Sequence, residues 1–116
     1  MDSEKLSDLV VKILDDMKAK DIVKLDVKRM TSVTDYMVVA SGTSSRHVKA
    51  IADEVIEKCK DQGQRPIGVE GQQGSEWILI DLQDTLVHVM LPKVRDFYNL
   101  EKLWSLKPAD LTATEG

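Results

Sequence analysis

Leu6, Leu9, Val10, Ile13, Leu14 and Met17 recur at steps of three and four residues behind Asp2-Ser3. That spacing gathers them on one side of a helix, and Asp2-Ser3 supplies the side chains that cap a helix start, so a helix is expected over residues 3 to 19. Its apolar stripe needs a partner surface. In IVKLDV (22 to 27), Val23, Leu25 and Val27 alternate with Lys24 and Asp26, the period-two pattern of a strand exposed on one face. YMVVA (36 to 40) is continuously apolar, as in an interior strand covered on both faces.

Ser41-Gly42-Thr43-Ser44-Ser45 then turns into a second helix carrying Val48, Ile51, Ala52, Val55, Ile56 and Cys59 on one side, with Gly63 as its C-terminal stop. A short strand, IGVE (67 to 70), follows Pro66. The loop GQQGSE (71 to 76) leads to WILIDL (77 to 82) and TLVHVML (85 to 91). Only Gln83-Asp84 separates these two, which favours an antiparallel hairpin although Gln-Asp is not the preferred Asn-Gly turn. Pro92 suits the first turn of a last helical segment containing Val94, Phe97, Leu100, Leu103 and Trp104. The order predicts an α/β (α+β) fold, a mixed sheet of about five strands flanked by helices. One domain is expected over residues 1 to 104, with a frayed tail over 105 to 116.

If Gln83-Asp84 form the loop, Leu82 pairs with Thr85, Ile80 with Val87 and Ile78 with Val89, giving an almost wholly aliphatic core face. The same register sets Asp81 opposite Leu86, Leu79 opposite His88 and Trp77 opposite Met90. This second face mixes an aromatic, aliphatics, a thioether, an imidazole and a carboxylate. Two readings fit it. It is the centre of a recognition patch, where aromatics and Met are enriched, or a helix covers it, with His88 a satisfied histidine and Trp77 ordinary packing.

Composition narrows the function classes. A chain of 116 residues, 42% hydrophobic and 31% charged, has room for one core and no second catalytic domain. The single cysteine, Cys59, cannot form an internal bridge and fits a reduced, intracellular setting. The first residues lack the basic flank and apolar run of a secretion signal, so the mature protein is expected to begin here. No apolar stretch approaches the roughly 20 residues needed to cross a bilayer, and a cytoplasmic location is expected. Net charge is −4, from 20 acidic and 16 basic residues. That balance argues against nucleic-acid affinity carried by general charge and suits docking onto a basic protein.

Catalytic chemistry finds little support. SGTSS (41 to 45) before a helix is able in principle to cradle a phosphate, but no P-loop Lys-Ser/Thr and no GxGxxG accompany it, and a tight turn at Gly42 with a hydroxyl cap from Thr43, Ser44 or Ser45 accounts for it better. Asp81 and Asp84 bracket a turn and lack the alternate-residue spacing that aims two carboxylates at one metal. With His47 and His88 as the only histidines, no metal site has recognisable spacing, and Cys59 lies on an apolar stripe where a small core residue is expected. Ser44 or Ser45 with His47 makes no triad.

Four stretches together resemble one family: DYMVVASGTSSRHVKAIADEV (35 to 55), GVEG (68 to 71), EWILIDLQDTLVHVM (76 to 90) and RDFYNLEKLW (95 to 104), with DIVKLDV (21 to 27) also fitting. They are similar to the ribosomal silencing factors, also called RsfS or Iojap proteins. The resemblance implies a fold related to nucleotidyltransferases that has lost the catalytic carboxylates, hence no enzyme and no cofactor. It also implies binding to ribosomal protein fourteen of the large subunit, which blocks joining with the small subunit and lowers translation when nutrients run short. By position, it implies a docking face of Trp77, Leu79, Asp81, His88 and Met90, bordered by Glu70. Tyr98 and Trp104 are interface or core, and Arg46 and His47 fall in the matching SSRHV with a structural role open to them. Two other functions stand beside this one: a nucleotide-binding enzyme using the 41 to 45 loop, and a homodimer formed through the Trp77 face when off the ribosome.

Overall fold

The computed structural model describes residues 1–98. Leu100, Leu103 and Trp104, the boundary expected at residue 104 and the tail after it lie outside the described residues. The elements run α1 (Ser3–Asp16), β1 (Lys20–Asp26), β2 (Tyr36–Ser41), α2 (Ser45–Asp61), β3 (Gly68–Glu70), β4 (Trp77–Asp81), β5 (Thr85–Met90) and α3 (Pro92–Tyr98). They match the predicted order. The five strands form one sheet in the order β1-β2-β5-β4-β3, with β2 and β5 parallel and the other pairs antiparallel.

The aliphatic sheet face, with Val38, Ala40, Ile78, Ile80, Val87 and Val89, packs against Leu6, Val10, Ile13 and Leu14 of α1 and Val48, Ile51, Ala52, Val55 and Cys59 of α2. Burial of these side chains is the main force holding the layers together. β2 is buried along its whole length, as its continuous apolar run predicts. On the other face Met37 and Val39 of β2 join Val27 and Met90 in a second, smaller cluster, against which Leu25, Trp77 and Val94 pack.

Helix ends follow local rules. The Asp2 carboxylate accepts from the N–H of Lys5, and the Ser44 hydroxyl accepts from the N–H of His47, each a side-chain cap on an otherwise free donor. α2 ends in a Schellman motif in which Gly63, at φ 78°, donates to Lys60 and Gln64 donates to Cys59. α1 ends the same way and three residues earlier than its periodicity predicts: Lys18, at φ 60°, donates to Asp15, and Ala19 donates to Leu14. A lysine in the left-handed position carries no sequence signal for a stop.

The β4–β5 hairpin has the predicted register at every pair, from Trp77 opposite Met90 to Asp81 opposite Leu86. Its link is the two-residue one expected, for the Leu82 N–H donates to the Thr85 carbonyl at 3.0 Å around Gln83-Asp84. Asp84 donates back to the Leu82 carbonyl at 3.0 Å across Gln83, whose φ is 73°, which is a tight three-residue γ-turn. The Asp81 carboxylate holds that turn by accepting from the Gln83 N–H at 2.8 Å.

Candidate partner-docking face

Strand alternation puts Trp77, Leu79 and Asp81 of β4 on the sheet face away from α1 and α2, with Leu86, His88 and Met90 of β5 beside them. β3 extends the face outward, for Glu70 pairs with Leu79. The six residues expected at the site, Glu70, Trp77, Leu79, Asp81, His88 and Met90, therefore do share one surface of the sheet.

They do not share one exposure. Glu70 is exposed, and Trp77, Leu79 and Asp81 are partly buried. His88 retains 7% of its accessible surface and Met90 none. β5 runs between β2 and β4 in the middle of the sheet, and Met90 sinks into the cluster with Val27, Met37 and Val39 where Trp77 and the α3 residue Val94 pack. Met90 as a contact residue is thus corrected to a residue beneath the face, and His88 is almost as deep. For these two, ordinary packing describes the geometry. The accessible part lies toward the β3 edge.

His88 and Trp77 are linked. The indole Nε1–H of Trp77 donates to Nδ1 of His88 at 2.9 Å, with the two ring centroids 5.9 Å apart. Nδ1 must then be the unprotonated nitrogen, which puts the proton of the neutral ring on Nε2. Burial pushes the His88 pKa down to about 4, which keeps the ring neutral and its acceptor available at neutral pH. The bond fixes the rotation of a large side chain that is still partly accessible. Glu70, Gly71, Trp77 and Leu79 line a shallow depression of about 250 Å³ beside it.

Gly71 was not among the expected residues, and its place in the GVEG stretch is the only signal for it. Its φ is 89°, and a Cβ there would lie 2.0 Å from the Trp77 carbonyl oxygen, so glycine is what lets the β3–β4 loop pass against β4. At the far end of the face, the Arg95 guanidinium of α3 donates to the Ser41 hydroxyl at 3.0 Å and ties α3 to the end of β2.

The SGTSS loop is occupied by its own structure. The Thr43 N–H donates to His47 Nδ1 at 2.9 Å, and His47 Nε2 donates to the Met17 carbonyl at 2.9 Å, so the imidazole clips the start of α2 to the end of α1. With Ser44 capping the helix, the hydroxyl cap expected from this loop is present, and His47 has the structural role. Arg46 is exposed. Cys59 is fully buried, and loss of solvent pushes its thiol up to about 11, the state of an unreactive core residue. No described helix is long and apolar enough to cross a membrane.

Comparison with known proteins places this sequence and fold. The sequence model of the family "Ribosomal silencing factor during starvation" matches residues 1–115. A ribosomal silencing factor RsfS from Chromobacterium violaceum is 46% identical over 104 residues, covering 90% of this chain and 85% of the relative. One from Haemophilus influenzae is 43% identical over 100 residues, covering 86% of this chain and 98% of the relative. A crystal structure of a Chromobacterium violaceum protein superimposes with a TM-score of 0.89 at 46% identity, over 93% of this chain and 91% of that one. Matched along nearly its whole length in sequence, and along nearly all of it in fold, the chain belongs to the ribosomal silencing factor family.

Proposed function

We propose that this chain represses translation in the cytoplasm by occlusion: it binds the large ribosomal subunit through ribosomal protein fourteen and so blocks joining with the small subunit when nutrients are limiting. Supporting this is the family to which it belongs, whose relatives bear the name of silencing factors. The observation that carries the choice of surface is the Trp77–His88 bond, because it holds an accessible indole in one orientation at the edge of an apolar sheet face. Indoles of this kind anchor interfaces: large, rigid, and cheap in lost side-chain freedom. Trp77, Leu79, Asp81 and Glu70 make the contact in this reading, while His88 and Met90 support it from below. The net charge of −4 complements a basic partner and orients the encounter. No bond is made or broken.

Sedimentation of purified subunits tests it. Wild-type protein should travel with the large subunit and reduce the fully assembled particle. Trp77→Ala should keep its fold and lose about thirtyfold in affinity, the result of removing a central anchor worth about 2 kcal/mol. A well-folded Trp77→Ala protein that binds and blocks joining as the wild type does would refute the assignment of the face.

A further inference from the structure

We infer that the depression beside Trp77 takes one arginine side chain of the docked protein, with Glu70 as the residue that selects it. This rests on the reading of the face as the partner-binding surface. Glu70 lies directly opposite Leu79 in the β3–β4 ladder, and Trp77 stands diagonally across from it on the same face. Diagonal neighbours in a sheet are about 7–8 Å apart, a gap that a long side chain spans. The depression therefore has an indole and an isobutyl group for walls, and Glu70 is the charged residue that borders it.

Those three groups select one kind of occupant. A purely apolar side chain would fill the walls but leave the exposed Glu70 carboxylate beside it with nothing to pair with. An acidic one would meet it with like charge. A cation on an apolar stem satisfies both the walls and the carboxylate. Arginine satisfies them better than lysine, because its planar guanidinium stacks on an indole and at the same time presents a fork of donors to a carboxylate. Glu70 is available for this. Among the described residues no ion pair engages it, whereas nearby Glu76 is paired with Lys93 and Asp8 with Lys24. At about 250 Å³ the depression suits a single long side chain rather than a helix or strand.

The test measures binding of wild type, Glu70→Gln and Trp77→Ala to purified large subunits at low and high salt, then maps arginines on the bound subunit with phenylglyoxal and mass spectrometry. Glu70→Gln keeps the size and exposure of the side chain and should leave thermal stability unchanged. Its affinity should fall about tenfold, with a shallower salt dependence, as expected for losing a charge-assisted pair. One arginine of the docked protein should be protected by the wild type and become reactive under saturating Glu70→Gln. If Trp77→Ala weakens binding while Glu70→Gln binds with wild-type affinity and salt response, or no arginine is protected, the face is right and the arginine slot is wrong. If the wild type does not bind large subunits at all, the docking reading fails and the slot falls with it.

Discussion

Trp77 donates its indole proton to a histidine that is itself almost out of reach of water, His88, at 2.9 Å across the β4–β5 ladder. The presentation of Trp77 is therefore coupled to the protonation state of His88. Burial lowers that pKa from 6.5 to about 4, so between these values the unfolded chain binds a proton that the native chain refuses. Stability tied to His88 is complete above pH 6.5 and is lost as pH falls toward 4. At about 1.4 kcal/mol per pH unit, the full loss is about 3 kcal/mol. Urea unfolding of wild type and His88→Leu between pH 7 and pH 4 should show the wild type losing that much more than the variant. Parallel pH profiles would show that His88 is not the buried neutral base described.

The hairpin register was legible because its two causes both sit in the sequence: a very short link, and alternation of side chains on each strand. Which residues of that register reach solvent was not legible. His88 and Met90 stand opposite Leu79 and Trp77, so pattern alone gives all four equal standing. What separates them is tertiary: Met90 sits in the cluster against which Val94 of α3 packs, and the strand order puts β5 inside the sheet and β4 one strand nearer the β3 edge, although Leu86, on the same face of β5, is only partly buried. That order depends on the parallel pairing of β2 with β5, a contact between strands more than forty residues apart with no local trace. Gly71 was hidden for a related reason, because its constraint comes from the Trp77 backbone and not from its own neighbours.

The two Schellman ends predict opposite responses to glycine chemistry. Lys18 holds φ 60° without the residue that favours it, and Gly63 holds φ 78° with it. Lys18→Gly should raise stability by about 0.5–1 kcal/mol, and Gly63→Ala should lower it by about 1 kcal/mol, in spite of the open space around Gly63. Thermal midpoints check the pair. Shifts of the same sign in both variants would mean that backbone conformation is not what sets these helix ends.

Thr85 is fully buried on the helix-covered face of β5, and among the described residues its hydroxyl has no hydrogen-bond partner. Folding therefore strips water from a polar group and returns nothing for it. Thr85→Val exchanges that hydroxyl for a methyl of nearly the same shape among Val87, Val89 and the other aliphatics. Removing the penalty should raise stability by about 1 kcal/mol, with an unchanged slope in urea titration. A lower midpoint would show that the hydroxyl is satisfied in solution.

Gly71 and Gly74 lie in the same loop and should behave differently. A Cβ at Gly71 meets the Trp77 carbonyl oxygen at 2.0 Å, and that backbone conformation, at φ 89°, is itself costly for any L side chain; a Cβ at Gly74 meets nothing within 4 Å. Gly71→Ala must push the loop away from β4, carrying Glu70 out of position beside Trp77 and opening the depression between them. The expected cost is about 2 kcal/mol or more in stability, together with weakened binding to large subunits, whereas Gly74→Ala should be close to neutral in both measurements. Because the obstacle is backbone, no rotamer change relieves it. Equal stability of the two alanine variants would mean that the loop at Gly71 moves aside without strain, and that Trp77 does not depend on it for its place on the face.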